Sequence, residues 1–236
     1  MSEQVQKMFS GIAHRYDRAN AVLSFGIHNL WRKKAISCLK PLKNAEILDL
    51  CTGTGDLAFE FSRQYPDLQR IVATDFVEEM LDIAREKKRK GGFGRIDFQT
   101  ADATNIPFSD ASFDIASVAF GIRNVDSTPE CLKEMKRVLK PGGQALILEF
   151  GQPYIPVFKQ LFDCYSKWIM PRIGGLITGN KAAYEYLPET SKNYPCRTEF
   201  VQLMRDAGFS SAFYRPLFGG IAYYYIGNTE NKAAPK

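Results

Sequence analysis

Short apolar runs alternate with helical periodicity through the middle of the chain. Apolar residues recur at the spacing of amphipathic helices most clearly over residues 78–90 and 129–139. Thr128 is the predicted N-cap of the second of these helices, and Thr198 is the predicted N-cap of a later one. Regular alternation of strand and helix predicts a parallel sheet with helices on both faces. The runs with the length of buried strands are residues 45–50, 70–75, 96–100, 113–120 and 144–150.

The end of the chain departs from this alternation. A helix predicted from Thr198 to Ala207 is followed by two strands at residues 209–214 and 220–226, with only residues 215–219 between them. A parallel connection needs about a dozen residues or more, so these two strands must form an antiparallel hairpin. We therefore predict an α/β fold with a seven-stranded, doubly wound sheet whose last strand is antiparallel.

The first predicted strand runs directly into a glycine-rich turn, and a helical pattern follows at once. Gly53 and Gly55 can adopt positive φ and let a ligand approach the backbone. The spacing also fits a dinucleotide-binding fingerprint. Asp49 before the turn and Asp56 after it, however, add negative charge that disfavours a pyrophosphate and favours a cationic ligand. The turn therefore favours S-adenosylmethionine (SAM) over NAD, and the terminal hairpin strengthens this preference.

Acidic residues also follow the next two strands. Asp75 lies 22 residues after Gly53, the offset at which an acid meets ribose hydroxyls, although it could instead cap the following helix. Asp102, beside the small Ala103, could bind the adenine amino group or simply cap a turn. Because the carboxyl ends of parallel strands meet at one edge, Asp49, Asp75 and Asp102 are predicted to gather at one ligand-binding edge.

Two segments lie outside the α/β alternation. Residues 1–40 contain predicted helices at 3–13 and 29–39, joined by a loop rich in aromatic and amide side chains, and they can form a cap, a lid or both. Residues 151–196 form an insertion with helically spaced apolar residues, a pattern that fits a core helix, a dimer interface or a channel for an apolar tail. Its apolar candidates are Val157, Phe158, Leu161, Phe162, Tyr165, Trp168, Ile169 and Met170.

The expected organisation follows from these segments. The sheet is completed near the end of the chain, and only the final polar residues have the composition of a disordered tail. The expected units are a helical cap at residues 1–40, a cofactor-binding core at 41–150, a substrate-side insertion at 151–196, a helix and hairpin at 197–227, and a tail at 228–236.

Composition narrows the class of protein. The five cysteines are widely separated, which argues against a metal or disulfide framework and predicts a reducing, cytoplasmic setting. No signal peptide or membrane-spanning run is recognisable. The mild net charge of +5 permits weak attraction to anionic lipid. Nucleic-acid binding is disfavoured because the basic residues are scattered along the chain. In addition, the fourth predicted strand leads into Phe120-Gly121 rather than into a turn that could stack a flipped base.

Four stretches resemble the ubiquinone/menaquinone biosynthesis C-methyltransferase family, and the resemblance covers nearly the whole chain. Ala19, Gly151 and Ala119 depart from the family pattern, the last at a position where a small polar residue is often seen. The matching stretches are YDxxNxxxSxGxHxxW at residues 16–31, FGIRNV at 120–125, RVLKPGG at 137–143 and YLxxxS at 186–191. With the resemblance included, the expected SAM contacts are Asp49, Gly53, Thr54, Gly55, Asp75, Asp102, Ala103 and Ala119.

The resemblance implies methyl transfer from SAM to a ring carbon of a polyprenylated hydroquinone. For bacterial members the substrate is demethylmenaquinol, and some members also methylate the ubiquinone precursor. A substrate with a long isoprenoid tail implies transient contact with the inner face of the membrane, and a homodimer is compatible with the insertion. The alternatives are methylation of another small aromatic compound or, without catalysis, SAM binding for regulation.

The expected chemistry assigns roles to a few polar residues. A ring carbon becomes nucleophilic when a neighbouring hydroxyl ionises, and Arg123 could stabilise the phenolate as a fixed positive charge or form a salt bridge to an acid. The proton would leave through water, His28 or Asp17. Tyr16 and Asn124 could bind the hydroquinone oxygens. No metal is required for this reaction.

Overall fold

The computed structural model describes residues 3–40 and 43–231, and within them lies a single seven-stranded sheet. The strands are β1 (Glu46–Leu50), β2 (Arg70–Asp75), β3 (Ile96–Thr100), β4 (Phe113–Ala119), β5 (Leu139–Phe150), β6 (Ser211–Leu217) and β7 (Ala222–Asn228). Their order is β3-β2-β1-β4-β5-β7-β6, with β1 to β5 parallel and β7 antiparallel to both of its neighbours. The predicted sheet and its antiparallel last strand are confirmed.

Helices surround the sheet and cover its carboxyl edge. The helices are α1 (Glu3–Leu23), α2 (Ile27–Ile36), α3 (Asp56–Gln64), α4 (Glu78–Gly91), α5 (Thr128–Val138), α6 (Pro156–Cys164), α7 (Met170–Thr178), α8 (Lys181–Asn193) and α9 (Thr198–Asp206). A π-helical turn, Tyr165–Ile169, joins α6 to α7. Within residues 3–40 and 43–231, no helix is long and apolar enough to span a bilayer.

The core lies on both faces of the sheet. On one face, Leu132 and Met135 of α5 and Phe200 of α9 pack against the strands. On the other face, α2 and α3 contribute Trp31 and Phe61. Because parallel strands with helices on both sides bury both rows of side chains, these strands have near-continuous apolar character.

The N-terminal segment differs from the predicted cap in two ways. Helix α1 continues through residues 14–23, which were predicted as loop, because Ile12, Ala19 and Leu23 recur at helical spacing and pack against α7 and α8. Helix α2 belongs to the sheet's core rather than to a cap, since its Ala35 and Ile36 are fully buried there. The helical cap over the carboxyl edge is therefore built from α1 and the insertion helices α6, α7 and α8.

Three local predictions need correction. The N-cap of α5 is Ser127, whose hydroxyl accepts from the Glu130 N–H, rather than Thr128. Helix α9 follows Arg197, a residue with φ of 58°, and Thr198 is its first helical residue rather than its cap.

The predicted tail also begins too early. Asn228 pairs within the sheet, and the Thr229 hydroxyl donates to the Lys140 carbonyl at 2.8 Å. The Gly142 N–H donates to the Glu230 carbonyl at 3.0 Å. Residues 228–231 thus pack on the Pro141-Gly142-Gly143 turn of β5, while residues 232–236 lie outside the described part of the chain.

Candidate active site

A cavity of about 420 Å³ opens at the carboxyl edge of the sheet, beneath the helical cap. Its floor is formed by the turns after β1, β2, β3 and β4, and its roof is formed by α1, α6 and α8. The floor carries three acids, Asp56, Asp75 and Asp102, among apolar residues, and the roof is largely apolar. Sheets of this topology bind ligands at this edge, so the cavity is the candidate active site.

The turn after β1 presents bare backbone to the cavity. Gly53 has φ of 57° and lines the cavity, with open space where a side chain would project. Gly55, with φ of 86°, lies behind the cavity wall, where a Cβ would come within 2.8 Å of Phe59. Gly53 therefore permits approach of a ligand, whereas Gly55 serves the turn and the packing of α3.

Asp49 lies beneath this turn and does not line the cavity. Its side chain is fully buried and accepts hydrogen bonds from the Thr52 hydroxyl at 2.6 Å and the Ser117 hydroxyl at 2.7 Å. Burial raises its pKa to about 6, while these two hydroxyls oppose the shift. The geometry makes Asp49 a support for the turn rather than the ligand contact expected from its position.

Asp75 and Asp102 both line the cavity. The Asp75 carboxylate accepts from the N–H of Gly53 at 2.7 Å and of Val77 at 2.9 Å, and burial raises its pKa. The N-cap of α4 is Val77, so Asp75 does not occupy the capping position considered as an alternative. Asp102 accepts from both the N–H and the hydroxyl of Thr104 at 2.8 Å, so it caps a turn and also faces the cavity beside Ala103.

An ion-pair network joins the helical cap to the glycine-rich turn. The Lys87 ammonium lies 2.5 Å from Asp56 and 3.0 Å from Asp17, and the Thr54 hydroxyl donates to Asp17 at 2.5 Å. Arg32 contacts Asp56 at 3.2 Å. Burial would raise the pKa of Asp56, but Arg32 and Lys87 hold it below its ordinary value.

This network overturns one expectation and adds two residues. The negative charge predicted at the turn is compensated, because two cations from α2 and α4 pair with Asp56. Neither Arg32 nor Lys87 was a candidate in the sequence. Each lies in a helix with other basic residues, so nothing local distinguishes the one that pairs with Asp56 from those that face solvent.

Arg123 lies just after β4 and is almost fully buried. Its Nη1 donates to Glu149 at 2.6 Å and to the Phe120 carbonyl at 2.7 Å, and its guanidinium lies 5.3 Å from the centre of the Phe150 ring. The side chains of Arg123 and Glu149 are only 3% and 2% exposed. The pair is net neutral: Arg123 forms the salt bridge that the sequence allowed as an alternative, but its partner is Glu149 of β5 rather than one of the acids after β1, β2 and β3. Its Nε is buried and has no hydrogen-bond partner among residues 3–40 and 43–231.

His28 is buried on the cavity wall beside Ser24. The Ser24 hydroxyl donates to the Asn20 carbonyl at 2.7 Å. Its oxygen lies 2.5 Å from His28 Nδ1, and the tautomer that fits both contacts carries its hydrogen on Nδ1 and leaves Nε2 as an acceptor. Burial, assisted by the charge of Arg32, lowers the His28 pKa to about 4, so the ring is neutral at pH 7.

Two other predicted polar residues reach the cavity, whereas Asp17, predicted as a route for the proton, does not line it. Tyr16 and Asn124 both line it, and Ala119 lies at the end of β4 on the same wall. Burial raises the pKa of Tyr16, and Asn124 accepts a hydrogen bond from the Tyr186 hydroxyl at 3.2 Å. Within the described ranges, no group of three or more His, Cys, Asp or Glu side chains is arranged to hold a metal ion.

The insertion divides its apolar residues between the cavity and the surface. Phe158, Phe162 and Tyr165 line the cavity roof. Trp168 and Ile169 are exposed instead, and α6 has no buried side chain. Because a core helix buries an apolar face, α6 is not the core helix that its spacing also permitted.

Comparison with known proteins identifies the family. The sequence model of the ubiE/COQ5 methyltransferase family matches residues 1–229. The chain belongs to this family. It is 47% identical over 229 residues to a protein of Bdellovibrio bacteriovorus named ubiquinone/menaquinone biosynthesis C-methyltransferase UbiE, with 97% of each chain covered. It is 37% identical over 232 residues to the demethylmenaquinone methyltransferase of Staphylococcus epidermidis, with 98% of this chain and 95% of that protein covered.

Solved structures share the fold. A SAM-dependent methyltransferase of Aquifex aeolicus is similar with a TM-score of 0.63 at 20% identity, with 84% of this chain and 88% of that chain covered. A phosphoethanolamine N-methyltransferase of Haemonchus contortus in complex with SAM is similar with a TM-score of 0.63 at 15% identity, with 86% of this chain and 52% of that chain covered. Family and fold together make the chain a SAM-dependent methyltransferase. The exposed backbone at Gly53 and the cavity-lining acids fit this cofactor.

Proposed function

We propose that the enzyme methylates a ring carbon of a polyprenylated hydroquinone, with demethylmenaquinol as the main substrate. The supporting observation is a single cavity that combines an acid-lined floor with an apolar roof, with Arg123 on the wall between them. A polar cofactor and a tailed aromatic ring need these two environments side by side. The relatives named for this reaction support the same conclusion.

The floor would hold the cofactor. Asp75 retains lone pairs for the ribose hydroxyls beyond the two N–H groups it already accepts, and Asp102 with Ala103 suits the adenine. Gly53 and Thr54 would let the turn after β1 approach the remaining part of SAM, and Ala119 would bound the cofactor site on the β4 side. When bound, SAM supplies an electrophilic methyl group on its sulfonium.

Arg123 is proposed to activate the quinol. A phenol has a pKa of about 10, so its ionisation at pH 7 costs roughly 4 kcal/mol. The free Nε–H of Arg123 is a donor held in place by the Glu149 and Phe120 contacts, ready to bind a phenolate oxygen. Because Glu149 neutralises the pair, the stabilisation comes from a directed hydrogen bond in a buried site rather than from a free cation.

His28 is proposed to accept a hydrogen bond from the quinol rather than to remove its proton. Its Nε2 is unprotonated, but moving a proton from a phenol of pKa about 10 to a ring of pKa about 4 would cost roughly 8 kcal/mol. Arg123 would have to lower the phenol pKa greatly for His28 to act as the base. Tyr16 and Asn124 would then orient the two quinol oxygens.

The helical cap would exclude water from the reacting groups. Helix α1 is tied to the turn after β1 through Asp17, Thr54 and Lys87, so it closes directly over the cofactor site. In-line methyl transfer depends on alignment of nucleophile and electrophile in a site without bulk water, and the roof would supply the exclusion of water.

Two quinone branches are compatible with this site. The name of the Bdellovibrio bacteriovorus relative includes both ubiquinone and menaquinone biosynthesis, which favours a second activity on the ubiquinone precursor. Complementation of strains blocked in each branch, with the extracted quinones weighed by mass spectrometry, tests both. Restoration of menaquinone is expected; failure in both branches, with an active control enzyme, would contradict the proposal.

The apolar roof would hold the first part of the isoprenoid tail, and the surface beside it would contact the membrane. Phe25, Leu161 and Phe218 line the cavity yet are 83%, 66% and 56% exposed, so they form an apolar rim at its mouth. Nearby, Lys167 and Arg172 stack on the exposed Trp168 at 5.2 and 5.5 Å. Apolar side chains flanked by cations suit an anionic bilayer.

A matched pair of variants separates tail binding from membrane contact. Phe162→Ser should raise KM for long-tailed substrates far more than for short-tailed ones, because Phe162 lines the cavity. Trp168→Ser should instead weaken sedimentation with phosphatidylglycerol vesicles, because Trp168 faces solvent. If Trp168→Ser converts a dimer to a monomer in light scattering and leaves vesicle binding unchanged, the exposed surface is a subunit interface and the membrane proposal is wrong.

A further inference from the structure

Arg32 is a buried cation on the cavity wall that the proposed chemistry does not use. It is only 8% exposed and lines the cavity from helix α2. Its Nη1 donates to Asn29 at 3.0 Å, and its Nη2 contacts Asp56 at 3.2 Å. Its Nε is buried and has no hydrogen-bond partner in the described ranges. A buried guanidinium N–H without an acceptor is rare, and because Arg32 lines the cavity, a ligand bound there can supply the missing acceptor.

The position of Arg32 along the sheet edge identifies which part of the cofactor is near it. The strands at this edge follow the order β3, β2, β1, β4. With adenine at Asp102 after β3 and ribose at Asp75 after β2, the rest of the cofactor extends over the turn after β1. Arg32 contacts Asp56, the first residue of the helix that follows this turn. The amino-acid end of the cofactor is therefore the part within reach of Arg32.

The charges around this point are already balanced. Asp17 and Asp56 face Lys87 and Arg32, and His28 is neutral at pH 7. The amino-acid end of SAM, considered apart from the sulfonium, is a zwitterion and adds no net charge to this network. Its α-carboxylate, however, needs donors, and the free Nε–H of Arg32 is a donor of the right charge.

We propose that Arg32 binds the α-carboxylate of the amino-acid end of SAM. The Nε–H donates to one carboxylate oxygen, while Asn29 and Asp56 hold the guanidinium in place. Arg32 thereby distinguishes cofactors that carry the amino acid from adenosyl compounds that lack it. This inference rests on the proposed placement of the adenosyl group at Asp75 and Asp102.

Two ligands that differ in the amino-acid end provide the test. S-adenosylhomocysteine carries the α-carboxylate, and 5′-methylthioadenosine lacks it. Isothermal titration of Arg32→Lys should show affinity for S-adenosylhomocysteine reduced at least about tenfold, because the lysine retains the charge opposite Asp56 but loses the planar fork. Affinity for 5′-methylthioadenosine should remain within about twofold of the wild type. Arg32→Gln should give the same pattern, with a larger loss.

Arg63→Lys is the matched control, since Arg63 also pairs with an acid but lies on the exposed side of α3. It should leave both affinities unchanged. Equal losses for both ligands in the Arg32 variants would make Arg32 a purely structural residue, and no loss for either would place the carboxylate elsewhere; both results overturn the inference. If the wild type binds neither ligand, the proposed cofactor placement fails instead.

Discussion

The sheet and the helical cap differ in how completely their side chains are buried. In the sheet, the side chains of β1, β2 and β4 are nearly all buried, and Asp49 and Glu149 are held by hydrogen bonds beneath the site. In the cap, α6 has no buried side chain, and Leu176 of α7 is 86% exposed. The dense packing therefore lies in the sheet, which is the part that would position the cofactor and the reacting ring.

The contrast has a physical origin in how each part is covered. A parallel sheet has helices on both faces, so it buries apolar residues in two layers. The cap is a single layer of helices that faces the cavity on one side and solvent on the other. It also contains a π-helical turn at Tyr165–Ile169 and a proline inside α8, Pro188, both of which interrupt regular helical hydrogen bonding. Variants in the sheet should therefore affect mainly cofactor binding, and variants in the cap should affect mainly the KM for tailed substrates.

The largest expected effect is at Arg123, where sheet and cap meet. Arg123→Lys retains a cation for Glu149 but removes the Nε donor, so turnover should fall about 10²- to 10³-fold, as for loss of one donor to a developing oxyanion. Initial-rate kinetics with a demethylmenaquinol analogue measures this. Affinity for S-adenosylhomocysteine should be unchanged. Turnover within threefold of the wild type would remove Arg123 from the mechanism.

A smaller loss, of cofactor affinity, is expected for a variant of Asp75, which belongs to the sheet and not to the cap. Asp75→Asn replaces a carboxylate, which accepts from the N–H groups of Gly53 and Val77, by an amide with a single acceptor oxygen. The ribose hydroxyls and these N–H groups would then compete for that oxygen. Hydrogen bonds to charged groups contribute about 1.5–3 kcal/mol, so affinity for S-adenosylhomocysteine should fall roughly 10- to 100-fold in calorimetry. KM for the quinol should not change. An unaltered cofactor affinity would show that the ribose lies elsewhere.

Two glycine variants compare the two parts directly. An added Cβ at Gly121 would lie 2.4 Å from the Cys51 Cβ in the sheet, and one at Gly174 would lie 2.3 Å from the Tyr184 ring in the cap. Each should cost about 1–3 kcal/mol of stability through overpacking, measured by thermal unfolding. Gly121→Ala should weaken cofactor binding, whereas Gly174→Ala should raise KM for tailed substrates only. Identical effects of both variants would mean that sheet and cap respond as one unit.

The effect expected to be smallest at pH 7 concerns the protonation of His28, which changes stability only on acidification. Its folded pKa of about 4 lies below the unfolded value of about 6.5, so the unfolded state binds more protons between these values. The contribution of neutral, buried His28 to the free energy of unfolding is fully present above about pH 6.5. It is lost as the pH falls toward 4, by about 3 kcal/mol at most. Asp49, with its pKa raised to about 6, acts in the opposite direction over part of this range.

Because the two groups oppose each other, the comparison of variants is more informative than the wild-type curve. His28→Gln should remove the loss of stability on acidification that His28 causes, measured by urea unfolding at pH 7 and pH 5. Nuclear magnetic resonance should show one histidine signal titrating near pH 4, absent in His28→Gln. A His28 midpoint near 6.5 would contradict the desolvation of the buried ring.

Much of the sheet was predictable because its signals are local. Strand length, the glycine-rich turn and the short final connection depend on neighbouring residues, and they led to the correct strand topology and antiparallel end. Asp75 and Asp102 were also located by their places after strands. The errors at residues 14–23 and at Asn228 arose where packing against distant elements, α7 or the turn of β5, decides the local structure. The error at the N-cap of α5 is a displacement of one residue, because Ser127 rather than Thr128 accepts from the Glu130 N–H.

The amino-acid sequence by itself determined the fold, the family and the row of acids at the sheet edge, because strand ends and motifs have fixed spacing along the chain. Only the tertiary structure decided which charges are free. It paired Asp56 with Arg32 and Lys87, paired Arg123 with Glu149, and buried Asp49 beneath the turn. Charge compensation depends on distances between residues far apart in the chain, and the order of residues along the chain does not contain those distances.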